Sequence, residues 1–174
     1  MTQPTEPGQT LEQRLRAVED RLAILNLIAS HPLGADSGAA EHVQAVWADD
    51  GVVDLGNGKG ATGNAAIAAM VTVPGHQAAI AGGLAHFAGL PHIQLNGDTA
   101  VVTSYLQILA PQPAGEPVEV PNHGASRGFR VHRVGVNRWE LVRSPAGWKI
   151  TRRTLRSLDG TEPARELLRQ ALKP

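Results

Sequence analysis

The chain is predicted to be an α+β protein in which a strongly curved antiparallel sheet wraps around helices. Three observations predict this. Helical periodicity and Ala-rich stretches come early in the chain, and β-rich runs come late. Tight-turn sequences, Asn96-Gly97-Asp98 and Ser144-Pro145-Ala146-Gly147, join the late runs as hairpins. Helices grouped ahead of strands favour a sheet that curls over one helical layer rather than an alternating parallel fold.

The elements follow in order. Residues 1–10, MTQPTEPGQT, are polar with two prolines and read as a disordered tail. They lack the basic and apolar regions of a signal peptide. A helix is predicted over 11–30, with Leu11, Leu15, Val18, Leu22, Leu25 and Ala29 recurring at spacings of three and four. Ile24, Leu27 and Ile28 widen this stripe and mark the C-terminal end as the more buried. Thr10 and Gln13 form a candidate capping box, and Pro32 is expected to stop the helix. A second helix is predicted over 38–48, a short strand over 52–55, and an Ala-rich helix over 64–71 capped by Asn64 and ended by Pro74. Strands are predicted over 87–95 (with Pro91 implying an edge or bulge), 99–109, 127–143 and 147–158. Residues 110–125 form a Pro/Gly loop long enough for a lid or an oligomer contact. Thr161 caps a last helix with Pro163 in its first turn. The division is therefore a tail, a single domain over 11–158 and a helical extension over 159–174.

Composition excludes several classes. With 42% hydrophobic and 18% charged residues the 174-residue chain should be globular. Sixteen basic against sixteen acidic residues leave no global field for nucleic acid or membrane. No segment reaches the roughly 20 apolar residues needed to span a bilayer. Cys is absent, which removes disulfides, thiolate zinc sites and Cys nucleophiles and fits a cytoplasmic protein. Seven His invite a metal reading, but no HExxH-like spacing is present. No metal or cofactor is expected.

The chemistry-bearing pair is Asp36, after the first helix, and His86, at the mouth of a strand. A carboxylate that fixes an imidazole's tautomer and stabilises its cation makes the His a general base. Simpler uses remain open at this point: Asp36 capping the Ser37-Gly38 turn, His86 as a structural imidazole, and His31 held by a helix end.

The run LAILNLIASHPLGADSGAAEHVQAVWADDGVVDLG resembles the opening of the SnoaL-like, scytalone-dehydratase-like branch of the nuclear-transport-factor-2-like (cystatin-like) superfamily. HFAGLPHIQLNGDTAVVTSYL is similar to its central hairpin, and NRWELVRSPAGWKITRR to its closing hairpin. The resemblance covers about residues 11–157. It implies a cone of curved sheet and three helices around one deep pocket, often in dimers or trimers. It also implies that Asp36 and His86 occupy the family's acid and catalytic His positions. The family often has Tyr where this chain has His31. With Tyr105 the single tyrosine, a tyrosine-based oxyanion hole is not expected, nor is the Asp-Arg-Asp set of the epoxide hydrolase branch.

Nine Lys or Arg lie between Ser126 and Ser157, against Glu140 alone. They read as a solvated or subunit-contact face, or as the source of one inward Arg for a carboxylate or enolate oxygen. Strand alternation puts Arg133, Asn137, Trp139 and Arg143 on one face.

The predicted function is a cofactor-independent lyase or isomerase acting by dehydratase- or dehydrohalogenase-type proton abstraction on a mostly apolar, cyclic or polyketide-like small molecule. His86, Asp36 and His31 are the candidate catalytic residues. Asn137, Trp139, Arg143, Trp47, Leu55, Met70, Phe87 and His92 are candidate substrate contacts, with Leu25, Ile28 and Val46 as further wall. A homodimer or homotrimer is expected, without nucleic acid or membrane. The alternatives are a non-catalytic ligand-binding or oligomerisation domain and an accessory β-type subunit of a ring-hydroxylating oxygenase.

Overall fold

Helix α1 spans Leu11–Ser37 in the computed structural model, which describes residues 8–56 and 58–173. The predicted tail therefore lies outside the described residues up to residue 7. The capping box forms: the Gln13 amide donates to Thr10 Oγ1 at 3.2 Å, and the Thr10 amide donates to Gln13 Oε1 at 2.8 Å.

Two expectations for α1 are corrected. The helix does not stop at Pro32 but runs through it to a left-handed Gly38 (φ 67°). Proline removes one helical N–H and crowds the preceding turn, a cost of about 3 kcal/mol in a helix interior. Packing beyond it offsets that cost. Gly34 and Ala35 are buried, and a Cβ on Gly34 would meet His42 and Val43 side chains at 3.2 Å. Asp36 is thus a residue of the last helical turn, not of a loop. The second correction concerns the apolar stripe. Leu11, Leu15, Val18, Leu22 and Leu25 are exposed, whereas Asp20, Ile24, Ile28, Gly34 and Ala35 are buried. Spacing identifies a continuous face, but the sheet takes the adjacent one, which carries Ile24, Leu27 and Ile28.

Helix α2 (Ala40–Val46) leads directly into β1 (Trp47–Gly56), which is longer than predicted and begins at Trp47. Strand β2 (Lys59–Thr62) and helix α3 (Asn64–Ala69) follow. Gly63, not Asn64, is the α3 cap, because the Asn64 amide donates to Asp49 Oδ1 instead (3.0 Å). Pro74 begins a further helix, α4 (Pro74–Ala81), where its missing N–H is harmless. The predicted strand 87–95 is two strands, β3 (Ala85–Ala88) and β4 (His92–Asn96), split at Pro91 and lying end to end along one edge of β5 (Thr99–Pro111). The 110–125 loop contains part of a small hairpin, β6 (Val118–Val120) and β7 (Gly124–Ser126). β8 (Phe129–Ser144) and β9 (Gly147–Ser157) form the closing hairpin. Helix α5 (Glu162–Gln170) packs on β8 and β9 with Ala164 buried. Thr161 precedes it, but its hydroxyl donates to Asp159 rather than capping.

The main sheet is curved and unclosed, in the order β2-β1-β9-β8-β5-β3, with β4 also on β5. All its pairs are antiparallel except β1–β9, which is parallel, an exception the sequence reading did not anticipate. On β8 the helix-facing side carries Asn137, Trp139 and Leu141. Trp139, Trp47 and Ile150 of the sheet join Ile24 and Ile28 of α1 in the core.

Candidate functional site

The end of α1 lies against β3, and that contact builds the site. His86 pairs with Ile108 across the β3–β5 ladder, which fixes its backbone. Its amide donates to Asp36 Oδ2 at 2.9 Å, and its ring Nδ1 lies 2.5 Å from Asp36 Oδ1. Both carboxylate oxygens therefore hold one residue. A nitrogen facing a carboxylate carries the proton, so Nδ1–H donates and Nε2 keeps its lone pair. The side chains are 13% exposed for His86 and 29% for Asp36, sheltered but reachable.

His86 borders a cavity of about 200 Å³ between the helices and the inner sheet face. Its walls are mainly apolar, with Val53, Leu55, Ile67, Met70, Leu106 and Ile108. Its polar lining is His31, His76, His86, Arg133 and Arg153. A second, more open depression of about 380 Å³ beside α2 is lined by Gln44, Asp49 and Lys149 and holds no imidazole.

His31 stands edge-on to Trp139 (centroids 4.9 Å apart, planes at 70°). Its pKa is held well below the ordinary 6.5, first by removal from water, then by the charge of Arg153 and by His86. It is therefore neutral at pH 7 and suited to hydrogen bonding rather than charge stabilisation. His76, on the first turn of α4, donates Nε2–H to the Ala35 carbonyl at 2.8 Å, and its ring centroid is 6.2 Å from that of His86. Arg153 donates from Nε to Asn137 Oδ1 (2.9 Å) and lies 4.8 Å above the Trp139 ring.

Of the residues singled out in the sequence, His86, His31, Trp47, Leu55 and Met70 border the cavity. Asn137 and Trp139 stand one layer back, behind Arg153 and His31. Ile28 belongs to the core, Val46 packs against it, and Leu25 is exposed. Asn137 and Trp139 therefore do not line the cavity, and three further expected contacts are directed away from it. Phe87 is 59% exposed because strand alternation turns it away when His86 turns in. His92 is exposed on the edge strand β4, since the break at Gly89–Pro91 restarts the register. Arg143 is drawn to Asp20 of α1 (2.6 and 2.5 Å) and to Asp98 (2.7 Å), away from the cavity. No residue of the 110–125 loop lines the cavity; β8 contributes Arg133 to its polar lining.

In the polar lining, His76 and Arg153 were not among the expected site residues. Proline at a helix start was the signal for His76: reading Pro74 as N1 of α4 puts His76 in the first turn. For Arg153 the excess of arginine on the closing strands was visible, but not which one turned inward. Among the described residues no group of three or more His, Asp or Glu gathers as metal ligands, and no helix is long and apolar enough to cross a membrane.

A curved, open sheet wrapped over helices, with a sheltered polar cluster in an apolar cavity, defines a cystatin-like α+β pocket protein. The chain belongs to the SnoaL-like domain family, whose pattern matches residues 16–154. It is similar to an NTF2-like protein with a cystatin-like fold from Novosphingobium aromaticivorans, at 37% identity over 92% of this chain and 98% of that one (TM-score 0.79). A second protein from that organism, provisionally named an aromatic ring hydroxylase, is 26% identical over 81% of this chain and 90% of its own (TM-score 0.60). A third, provisionally named a scytalone dehydratase, shares the fold at 22% identity, covering 83% and 87% (TM-score 0.60). No curated protein matches the chain.

Proposed function

We propose that the protein is a cofactor-independent lyase or isomerase in which His86 removes a proton from carbon. The observation that carries this reading is the 2.5 Å contact between Asp36 and the His86 ring at the wall of a mainly apolar cavity. Nε2 takes the proton, and the C–H electron pair moves toward an adjacent carbonyl as an enolate. In a lyase that pair then forms a C=C bond and expels a group from the next carbon, a departing hydroxide taking the proton from the His86 imidazolium and leaving as water. In an isomerase the proton returns to a different carbon. Asp36 balances the imidazolium meanwhile. Neutral His31 borders the same cavity and can hydrogen-bond the carbonyl or the leaving group.

The test is carbon–hydrogen exchange. Cyclic ketones and β-hydroxy carbonyl compounds are incubated with the protein in D2O and followed by NMR. His86→Ala should slow exchange at least about 10²-fold, the usual contribution of a positioned base. Asp36→Asn should also be severe, and the two losses should not add, because the pair acts as a unit. Exchange as fast with His86→Ala as with wild type would remove the reading. A second reading, an accessory subunit of a ring-hydroxylating enzyme, draws on the 26% identical neighbour's name alone. It predicts a large partner that co-purifies and no His86-dependent exchange.

The reading includes a homodimer or homotrimer. The exposed row Leu11, Leu15, Val18, Leu22 and Leu25 supports it, because its alternating four- and three-residue steps match the seam of a paired helix. Sedimentation showing only monomer at micromolar concentration would remove that part.

A further inference from the structure

We infer that the ligand of this cavity carries a carboxylate, received by Arg153 with Arg133 beside it, so that the proposed substrate is a small cyclic or aromatic acid rather than a neutral compound. This names the substrate class of the site described above and rests on that reading only for the reaction, not for the binding.

Arg153 is 8% exposed and borders the cavity. Buried guanidinium groups are almost always paired with acids. Arg153 has no carboxylate within ion-pair distance among the described residues; its partners are an amide oxygen and an indole face. Arg133 enters the same lining from β8, holds Ser157 Oγ through Nε (2.9 Å), and likewise has no ion pair among the described residues. Its field reaches Asp159, which lies on the outer surface. Among the described residues no Asp or Glu lines the cavity, and both oxygens of Asp36 are engaged by His86.

The other sheet arginines show that this is not the rule for the molecule. Arg143 has Asp20 and Asp98, Arg156 has Asp54, and Arg138 has Glu140. Arg130 and Arg152 have no ion pair among the described residues either, but both are exposed and water solvates their charge; among the buried and half-buried sheet arginines acid is withheld only at the cavity. Burial, then the neighbouring charge of Arg133, pushes the Arg153 pKa down to about 9, as expected for a cation that lacks a counter-charge. A bound anion would supply it.

The chemistry selects a carboxylate. The guanidinium presents two parallel N–H donors, which match a carboxylate's two oxygens. The Nε bond to Asn137 and the stack on Trp139 fix the plane of that fork before any ligand arrives. Leu55, Met70 and Ile108 leave an apolar space for a ring. With the acid held at Arg153, negative charge developing on an enolate faces two guanidiniums.

The experiment measures binding of benzoate, cinnamate and 2-naphthoate, each against its neutral amide, by calorimetry at pH 7.5. At least one acid should bind about tenfold or more tighter than its amide, one charge-assisted pair being worth that much. The preference should persist in His86→Ala, should disappear in Arg153→Met, and should be partly retained in Arg153→Lys, which keeps the charge without the fork. Arg133→Gln should reduce it several-fold. Arg153→Met should melt no lower than wild type, since it removes an unpaired buried cation. Equal affinity of acid and amide, a preference surviving Arg153→Met, no acid binding below about 10 mM, or loss of folding in both Arg153 variants would each overturn the inference. Because binding is read in His86→Ala as well, failure of the proton-abstraction reading leaves this result standing, and the reverse holds.

Discussion

Arg143 on β8 and Arg153 on β9 face the same helical layer, and each stacks on a tryptophan, at 4.7 Å from Trp148 and 4.8 Å from Trp139. There the likeness ends. Arg143 grips Asp20 with both terminal nitrogens and Asp98 with Nε, and Trp148 Nε1 donates to the same Asp20 at 3.2 Å. Donating hydrogen bonds to Asp20 and Asp98 raises the Arg143 pKa, and accepting them from Arg143 lowers that of Asp20. Arg153 has an amide, and its pKa moves the opposite way. The difference lies in what α1 presents: an aspartate near its middle, a neutral His31 near its end. One arginine locks the helix to the sheet. The other is left with donors unspent at a cavity.

The comparison breaks most visibly if the locking partner is removed. Asp20→Ala leaves Arg143 without its main counter-charge and Trp148 Nε1 without its acceptor, and should cost about 3 kcal/mol by urea unfolding. The same contrast predicts the opposite sign for Arg153→Met. It replaces an unpaired buried cation by an apolar chain of similar length and should stabilise the ligand-free protein by about 1–2 kcal/mol. A loss for Arg153→Met as large as that for Asp20→Ala would mean both arginines are structural. Acid should strip the Arg143 contribution. The Asp20 pKa is depressed in the folded state, so its stabilisation is full above the ordinary Asp value near 4 and is lost as pH falls toward the folded value.

What the sequence disclosed follows from which forces are local. Hairpin turns, strand alternation and the Thr10–Gln13 box depend on residues a few positions apart, and the three long late strands and the start of α1 lie close to their expected places. Errors cluster where a distant partner decides. Pro32 does not end α1 because α2 packs on the turn beyond it. The leucine row points outward because β-strands claimed the adjacent face. Arg143 looked like a pocket residue because Asp20, 123 positions away, is invisible to strand parity. Phe87 and His92 fail for related reasons: parity with His86 settles one, and the Pro91 break unsettles the other. Asp36 and His86 could be singled out as residue types at element ends, but the 2.5 Å contact depends on α1 running a full turn and a half past the proline that was expected to stop it.

The smallest expected effect tests the Arg153 side of the comparison through its neighbour. His31 is kept neutral by desolvation first, with Arg153 and then His86 adding to it. Its folded pKa therefore lies well below 6.5, near which an unfolded His titrates. Below about pH 6.5 the unfolded chain binds a proton that the folded one refuses, so stability must fall as pH falls, by at most about 1.4 kcal/mol per unit. Above about pH 7.5 both states are neutral and the contribution is flat. Between pH 7.5 and 5.5 wild type should lose about 1 kcal/mol more than His31→Gln, compared by urea midpoints. Arg153→Met should lie between them, because removing that charge lets His31 take its proton more easily in the folded state. Identical pH slopes for wild type and Arg153→Met would mean that the Arg153 charge does not reach His31. It would then be screened inside the cavity, and the contrast with Arg143 would be one of geometry alone.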